Sequence, residues 1–344
     1  MIAASDIVAC RKLLRGGSRT FYAASLVLPR SVSDPAIALY AFCRLADDAV
    51  DVDGGRFDAV NRLSERLDRA YAGQPFPLPA DRAFEEMVAR FAIPRALPEA
   101  LLQGLAWDVE GRRYETLEDL LDYAARVAGA VGAMMSLLMR RREPAVVARA
   151  CELGIAMQLT NIARDVGEDA RAGRLYLPQQ WLREAGIDPE AFLVDPHFDV
   201  RVGEIIGRLL TVAEGFYRRS IAGIGALPVS CRPGIHAARL IYAEIGRELE
   251  RGGLDSISRR AVVSGSRKLR LIADALLQSL GGHDLVSDHI EPAVRYLVDA
   301  VAASQPAVIL PQSRRKGAVE QAVWMLDLFE RLERRDQLLR AGDA

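Results

Sequence analysis

Two aspartate-rich stretches constrain this chain more than any other feature, because their spacing has meaning only on helices. The first is Asp47-Asp48-Ala49-Val50-Asp51. The second is Asn161-Ile162-Ala163-Arg164-Asp165-Val166-Gly167-Glu168-Asp169. Residues four apart are helix neighbours, with roughly 5–6 Å between Cβ atoms. Each stretch follows apolar sequence, Leu39 to Cys43 in one case, Ile155, Met157 and Leu159 in the other. Two carboxylates ~6 Å apart repel by roughly 2–3 kcal/mol at an effective dielectric near 20. Both stretches also fall towards helix C-termini, where the macrodipole favours cations. A divalent cation reverses the sign of this arrangement. Magnesium takes one or two carboxylates, keeps several waters and completes its shell with phosphate oxygens. Solvated surface faces are the alternative; the apolar sequence before each stretch favours a pocket.

The remaining pattern is helix after helix. No alternating run of β-branched residues bounded by turns suggests a sheet. Asp34-Pro35 reads as an N-cap followed by proline in the first turn, opening a helix that stops at Gly54-Gly55. Residues 73–79 read as a loop. Helices are expected over 82–91 and 98–111, from a cap at Thr116 to about 140, and from Glu143-Pro144 to about 173. Further ones are expected over 200–225, 232–251, 266–280, 291–303 and 317–341. No stretch reads as an interdomain linker. The expectation is one all-α domain over 1–344, with a core at about 12–282 and C-terminal helices at about 290–341.

Composition narrows the function. The 344 residues are 50% hydrophobic and carry a net charge of -1, which gives no electrostatic case for nucleic acid. Cys10, Cys43, Cys151 and Cys231 form no C-x-x-C pair, and the four histidines have no metal-ligand spacing. The first six residues lack a basic segment followed by an apolar one, so no signal peptide is expected. The longest greasy run, 127–139, is shorter than the ~20 residues of a spanning helix. A cytoplasmic protein is expected, with peripheral contact at the inner membrane as an addition; the amphipathic segment 318–341 could provide it or pack on the bundle.

Arginines flank the acidic faces: Arg44 before Asp47 and Asp48, Arg164 and Arg174 beside the second stretch, Arg19 in Gly17-Ser18-Arg19-Thr20-Phe21. Guanidinium groups bind phosphate oxygens bidentately. An intrahelical ion pair such as Arg44 with Asp48 is the competing role.

These residues resemble the squalene/phytoene synthase family, most closely its bacterial phytoene synthases. The carriers are Gly17 to Tyr22, Leu39 to Asp51, Val127-Ala128-Gly129-Ala130-Val131-Gly132, and Gln158 to Asp169 followed by Gly173-Arg174-Leu175-Tyr176-Leu177-Pro178. The resemblance spans about 17–276. It implies the all-α class I isoprenoid synthase fold, a helical bundle around a central apolar cavity with the acidic motifs facing across its mouth. It implies two geranylgeranyl diphosphates joined head to head, through a cyclopropylcarbinyl diphosphate, to phytoene and two diphosphates, the first committed step of carotenoid biosynthesis. It further implies magnesium, with manganese as a substitute, and no nicotinamide cofactor.

Carried over by position, Asp47 and Asp51 would bind metal from one wall, and Asn161 and Asp165 from the other. Asp48, Arg164 and Asp169 would support them. Ser18, Arg19, Arg44, Tyr242 and Arg267 match positions that hold diphosphate, and Gln158 would sit between ions and hydrocarbon. Expected partners are prenyl diphosphates, with downstream carotenoid enzymes as a further class.

One departure stands out. Many relatives carry Tyr-x-Tyr before Val-Ala-Gly; here Tyr123-Ala124-Ala125-Arg126 places Ala125 at the second aromatic. No residue is therefore assigned as the base, and the released diphosphate is a candidate. Small residues from Val127 to Ala133 either leave room for a prenyl chain or allow close helix packing. Two other functions compete: a farnesyl-using synthase making presqualene diphosphate, squalene or dehydrosqualene, and a non-catalytic helical module of the same fold.

Overall fold

A computed structural model describes residues 2–17, 28–52, 56–280 and 287–304, with side chains throughout except at 46–52 and 56–59. Among the described residues every regular element is a helix. The expected helix over 317–341 lies outside them. The chain runs α1 (Ala4–Gly17), α2 (Arg30–Val52), α3 (Arg56–Tyr71), α4 (Pro79–Phe91) and α5 (Ala96–Val109). There follow α6 (Leu117–Ala124), a π-helical turn (Ala125–Gly129), α7 (Ala130–Leu138) and α8 (Pro144–Arg171). After the short α9 (Gln179–Glu184) and α10 (Pro189–Val194) come α11 (Val200–Ala226), α12 (Arg232–Arg251) and α13 (Gly265–Gln278). A 3-10 turn (Pro292–Val294) leads into α14 (Arg295–Ala303).

The start of α2 differs from the sequence expectation. The helix begins at Arg30 and carries Pro35 inside it. Ser33 N–H already bonds the Pro29 carbonyl at 2.8 Å, so the first turn is closed before Pro35 is reached. Proline forfeits one backbone bond there. Burial of Ala36, Ile37, Ala38 and Leu39 immediately after it outweighs that loss. Asp34 is not a cap; it accepts from Arg11 of α1 at 3.0 Å. Cys10, Leu14, Ile37, Ala38, Ala41, Ala80 and Ala83 close the corner where α1, α2 and α4 meet.

The start of α6 follows its sequence signal. Thr116 accepts from Asp119 N–H at 3.2 Å, and Asp119 accepts from Thr116 N–H at 3.0 Å, a full capping box. The continuous stretch Leu117–Leu138 is long and apolar enough to cross a membrane by length and composition, unlike the shorter run seen in sequence. Two-thirds of its apolar window (67%) is buried inside the protein, as befits a core helix.

The centre of the fold is α8, 28 residues long, packed along the 27-residue α11 and against α7. Two glycines set the distance of α8 from the π-helical turn and α7. A Cβ on Gly132 would lie 2.1 Å from the Ala150 carbonyl oxygen, and one on Gly154 would lie 2.3 Å from that of Ala128. Close backbone approach is thus what Gly132 serves, rather than room for a prenyl chain. Ala130 and Ala133 beside it are fully buried.

Candidate active site

Most of α8 is sealed in the core: Ile155, Ala156, Leu159, Thr160, Ile162 and Ala163 are buried. One face is not. Leu153, Met157, Gln158, Asn161, Arg164, Asp165 and Asp169 are each half-buried, and their spacing keeps them on one side of the helix. Along this face the chemistry changes from apolar, through amides, to acids. Val127, Ala128, Val131 and Met135 on the packed neighbouring stretch are likewise half-buried.

Asp165 is the most heavily engaged of the acids. Arg164, its chain neighbour, donates Nε at 2.8 Å and Nη2 at 2.6 Å. Arg260 donates Nε at 2.9 Å and Nη2 at 3.2 Å to the same two oxygens. Burial works to raise the Asp165 carboxyl, but the two guanidinium groups outweigh it and hold it below the usual aspartate value. Asp169, one turn on, contacts Arg174 at 3.4 Å. Burial pushes it up to about 6, opposed by Arg174 and reinforced by Asp165. Tyr242 of α12 lies close enough to feel both Arg164 and Asp165, with burial raising its phenol.

Gly167 explains how Arg260 arrives. A Cβ there would sit 2.5 Å from the Ile257 Cα, so only glycine lets the 255–257 backbone lie on α8. Gly167 N–H bonds the Ser256 carbonyl at 3.2 Å, and Arg171 donates to the Ile257 carbonyl. Asp255 folds the loop by accepting from Ile257 and Ser258 N–H groups at 3.1 and 2.9 Å. Three residues further on, Arg260 meets Asp165. Sequence gives no spacing signal for it; only the docked loop reveals it.

The structure places Asn161, Arg164, Asp165 and Asp169 together on the C-terminal half of α8, with Gln158 at mid-helix on the same face and Tyr242 of α12 near Arg164 and Asp165. Arg267, on α13, belongs to an ion-pair cluster. It donates to Glu244 at 2.8 and 3.0 Å, on a carboxylate with no exposure. Arg247 and Arg251 share that carboxylate, which pins α13 to α12. Arg260 joins the acidic face from the α12–α13 connection. Arg44 is half-buried on α2, and the helix continues through Asp47, Asp48 and Asp51, whose side chains lie outside those described. Ser18 and Arg19 lie outside the described residues altogether. Ala125, at the departure from the family pattern, is fully buried at the start of the π-helical turn.

Among the described residues no three ligating side chains cluster tightly enough to hold a metal ion. The chemistry of the donors nevertheless fits a hard cation. Asp165 and Asp169 are oxygen donors one turn apart, half out of water, and one is destabilised as an anion by the other. Two arginines already neutralise the first of them.

A sequence profile of squalene/phytoene synthases matches residues 14–267. The phytoene synthase of Cereibacter sphaeroides is 49% identical, aligned over 100% of this chain and 99% of its own length. That of Rhodobacter capsulatus is 53% identical over 88% of this chain and 91% of its own. Among solved structures, a dehydrosqualene synthase in complex with ligand superposes with a TM-score of 0.72 at 30% identity, covering 79% of this chain and 95% of that one. A squalene synthase from Alicyclobacillus acidocaldarius gives 0.67 at 26% identity, covering 72% and 94%. The chain belongs to the squalene/phytoene synthase family.

Proposed function

We propose that this prenyltransferase is a phytoene synthase that condenses two geranylgeranyl diphosphates head to head. The observation that carries this reading is the 49% identity to a phytoene synthase over the full length of both chains. The half-buried face of α8 supports it chemically, since apolar residues give way to acids and arginines along one line.

The first ionisation separates diphosphate from an allylic carbon; that carbon alkylates the C2=C3 double bond of the second substrate, and loss of a proton closes the cyclopropylcarbinyl diphosphate. The second ionisation, rearrangement and loss of a second proton give the conjugated triene. No reductant enters this balance. Asn161 and Asp165, together with Asp47 and Asp51, are the residues that would hold magnesium, or manganese in its place. When bound, such ions neutralise diphosphate and favour its departure. Arg164 and Arg260 bring two guanidinium groups to the same end of α8, where developing negative charge is stabilised best by preorganised donors. Leu153, Met157, Val131 and Met135 offer hydrocarbon that keeps water from the cation. Neither phenol nor carboxylate is assigned as the base; the departed diphosphate is the acceptor in this scheme.

A second reading, condensation of farnesyl diphosphate, is favoured by the structural likeness to a dehydrosqualene synthase. Product identification separates the two. Purified protein receives farnesyl or geranylgeranyl diphosphate with magnesium, with and without NADPH. Phytoene from the longer substrate without NADPH is expected. A C30 product alone would overturn the reading in favour of the second, and no diphosphate release from either substrate would favour a non-catalytic module. Asp47→Ala and Asp165→Ala are expected to abolish turnover while the protein stays folded.

A further inference from the structure

The acidic face of α8 is backed by a polar cluster that the proposed mechanism does not use. Asp108, in the last turn of α5, accepts from two phenols. Tyr123 of α6 donates to Oδ2 at 2.9 Å, and Tyr176, just beyond α8, donates to Oδ1 at 2.8 Å. The two rings stack at 5.3 Å, and Tyr114 packs 5.1 Å from Tyr123 and 6.2 Å from Tyr176. Tyr114 and Tyr123 are buried, whereas Tyr176 is half-buried and shares a cleft with Ile162, Val166, Asp169 and Arg174. Tyr176 is thus the member of the cluster that reaches the acidic face.

We infer that Asp108 is a positioning residue for the condensation, holding Tyr176 in place as an aromatic wall beside the second acidic motif. This rests on the prenyl condensation proposed above. Three observations carry it. The carboxylate lies at a helix C-terminal turn, where an anion is unfavourable for the helix itself. Both of its oxygens are committed to hydroxyls from different elements, which fixes two rings relative to each other and to α5. The phenols also keep their protons, because burial first and Asp108 second raise both well above the ordinary tyrosine value.

The consequence concerns the allylic cation. A phenol that keeps its proton and donates it in a hydrogen bond to a carboxylate is a poor base, and the bond restrains it from swinging. What it offers is an electron-rich ring of fixed orientation, and aromatic faces attract cations. A ring held this way stabilises positive charge while excluding water from one side. Released from Asp108, Tyr176 can rotate and admit water to the cation.

The test is product partition per turnover, which a merely structural residue would not move. The full-length protein, the variants Asp108→Asn and Tyr176→Phe, and the double variant carrying both receive geranylgeranyl diphosphate and magnesium. Phytoene, the cyclopropylcarbinyl diphosphate and prenyl alcohols are quantified. Asp108→Asn and Tyr176→Phe are each expected to raise the share of alcohol and stalled intermediate by about tenfold, with KM within about twofold of wild type. The double variant is expected to be no worse than the more impaired single one, because both changes release the same ring. Unchanged partition in Asp108→Asn, with only its folded yield or Tm reduced, overturns the inference. So do effects that multiply in the double variant. Should Asp108→Asn fail to fold, Tyr176→Phe, which removes one hydroxyl, decides alone: wild-type partition overturns the inference. Wild-type protein that makes no phytoene overturns the condensation reading, and this inference with it. Normal wild-type product with unaltered variants overturns the inference alone.

Discussion

Arg260 and Asp165, 95 residues apart in the chain, are joined by two hydrogen bonds of 2.9 and 3.2 Å. Arg164 grips the same carboxylate. The aspartate expected to bind a cation is therefore already balanced by two guanidinium groups. Arg260 is half exposed on a loop, so its removal should hardly touch stability. Arg260→Ala is expected to raise KM for the diphosphate substrate and lower kcat/KM by about ten- to hundredfold, with Tm unchanged. Steady-state kinetics with thermal melting checks both.

Gly167→Ala tests the loop that delivers that arginine. The added methyl would meet Ile257 backbone at 2.5 Å, and backbone cannot rotate away as a side chain can. The 255–257 segment must lift from α8, taking Arg260 with it. We expect a loss of activity at least as large as in Arg260→Ala, together with destabilisation of about 1–3 kcal/mol. Faster hydrogen exchange at residues 255–260 would locate the change.

Asp169 is expected to cost stability while serving function. Its carboxyl is raised to about 6 in the fold from an ordinary 3.8. A raised carboxyl binds its proton more tightly in the folded state, so the ion-free protein loses stability as pH climbs from about 4 to 6. Asp169→Asn removes the penalty. At pH 7–8, without divalent cations, the variant should be more stable by up to about 3 kcal/mol. Its turnover should fall. Denaturant melts at pH 4 and pH 8 read the difference, which should vanish at the lower pH.

Glu244 behaves in the opposite sense. Arg267, with Arg251 and Arg247, holds its carboxyl down to about 2 against burial. A depressed carboxyl contributes stability above its unfolded value, near 4.5, and loses it as pH falls towards 2. Glu244→Gln is expected to destabilise by about 1–3 kcal/mol at pH 7, a loss moderated because the three arginines are partly exposed and regain water. The gap between variant and wild type should narrow as pH falls from 4.5 to 2. A pH-independent gap would mean that packing, not charge, is what Glu244 supplies.

Much of this was legible before the fold was seen, for identifiable reasons. Caps and prolines announced α6 at Thr116 and α8 at Pro144, because local chemistry fixes those ends. The face of α8 could be counted out by fours. Pro35 misled because proline reads as a helix start, whereas here α2 had begun one turn earlier and burial carried it through. Helices α1 and α3 have no such punctuation and were not anticipated. At the site, the acids were evident and Arg260 was not, since nothing in a linear string says that Gly167 admits a loop from 90 residues away. Arg267, matched to diphosphate by the resemblance alone, is held by Glu244 in the fold, a pairing that no spacing in the string announces. The phenol pair on Asp108 was invisible for the same reason: its three residues lie on three elements.

The glycine contacts between α7 and α8 limit how this enzyme could be re-engineered. With Gly132 of α7 against Ala150 and Gly154 against Ala128 of the π-helical turn, the backbones touch, so drawing the helices apart to enlarge the space would forfeit close packing along their length. Any change in the length of hydrocarbon accommodated has to come from trimming or extending side chains such as Val131, Met135, Leu153 and Met157. Evolution of chain-length preference on this scaffold would then proceed by small volume changes at fixed wall spacing, one residue at a time.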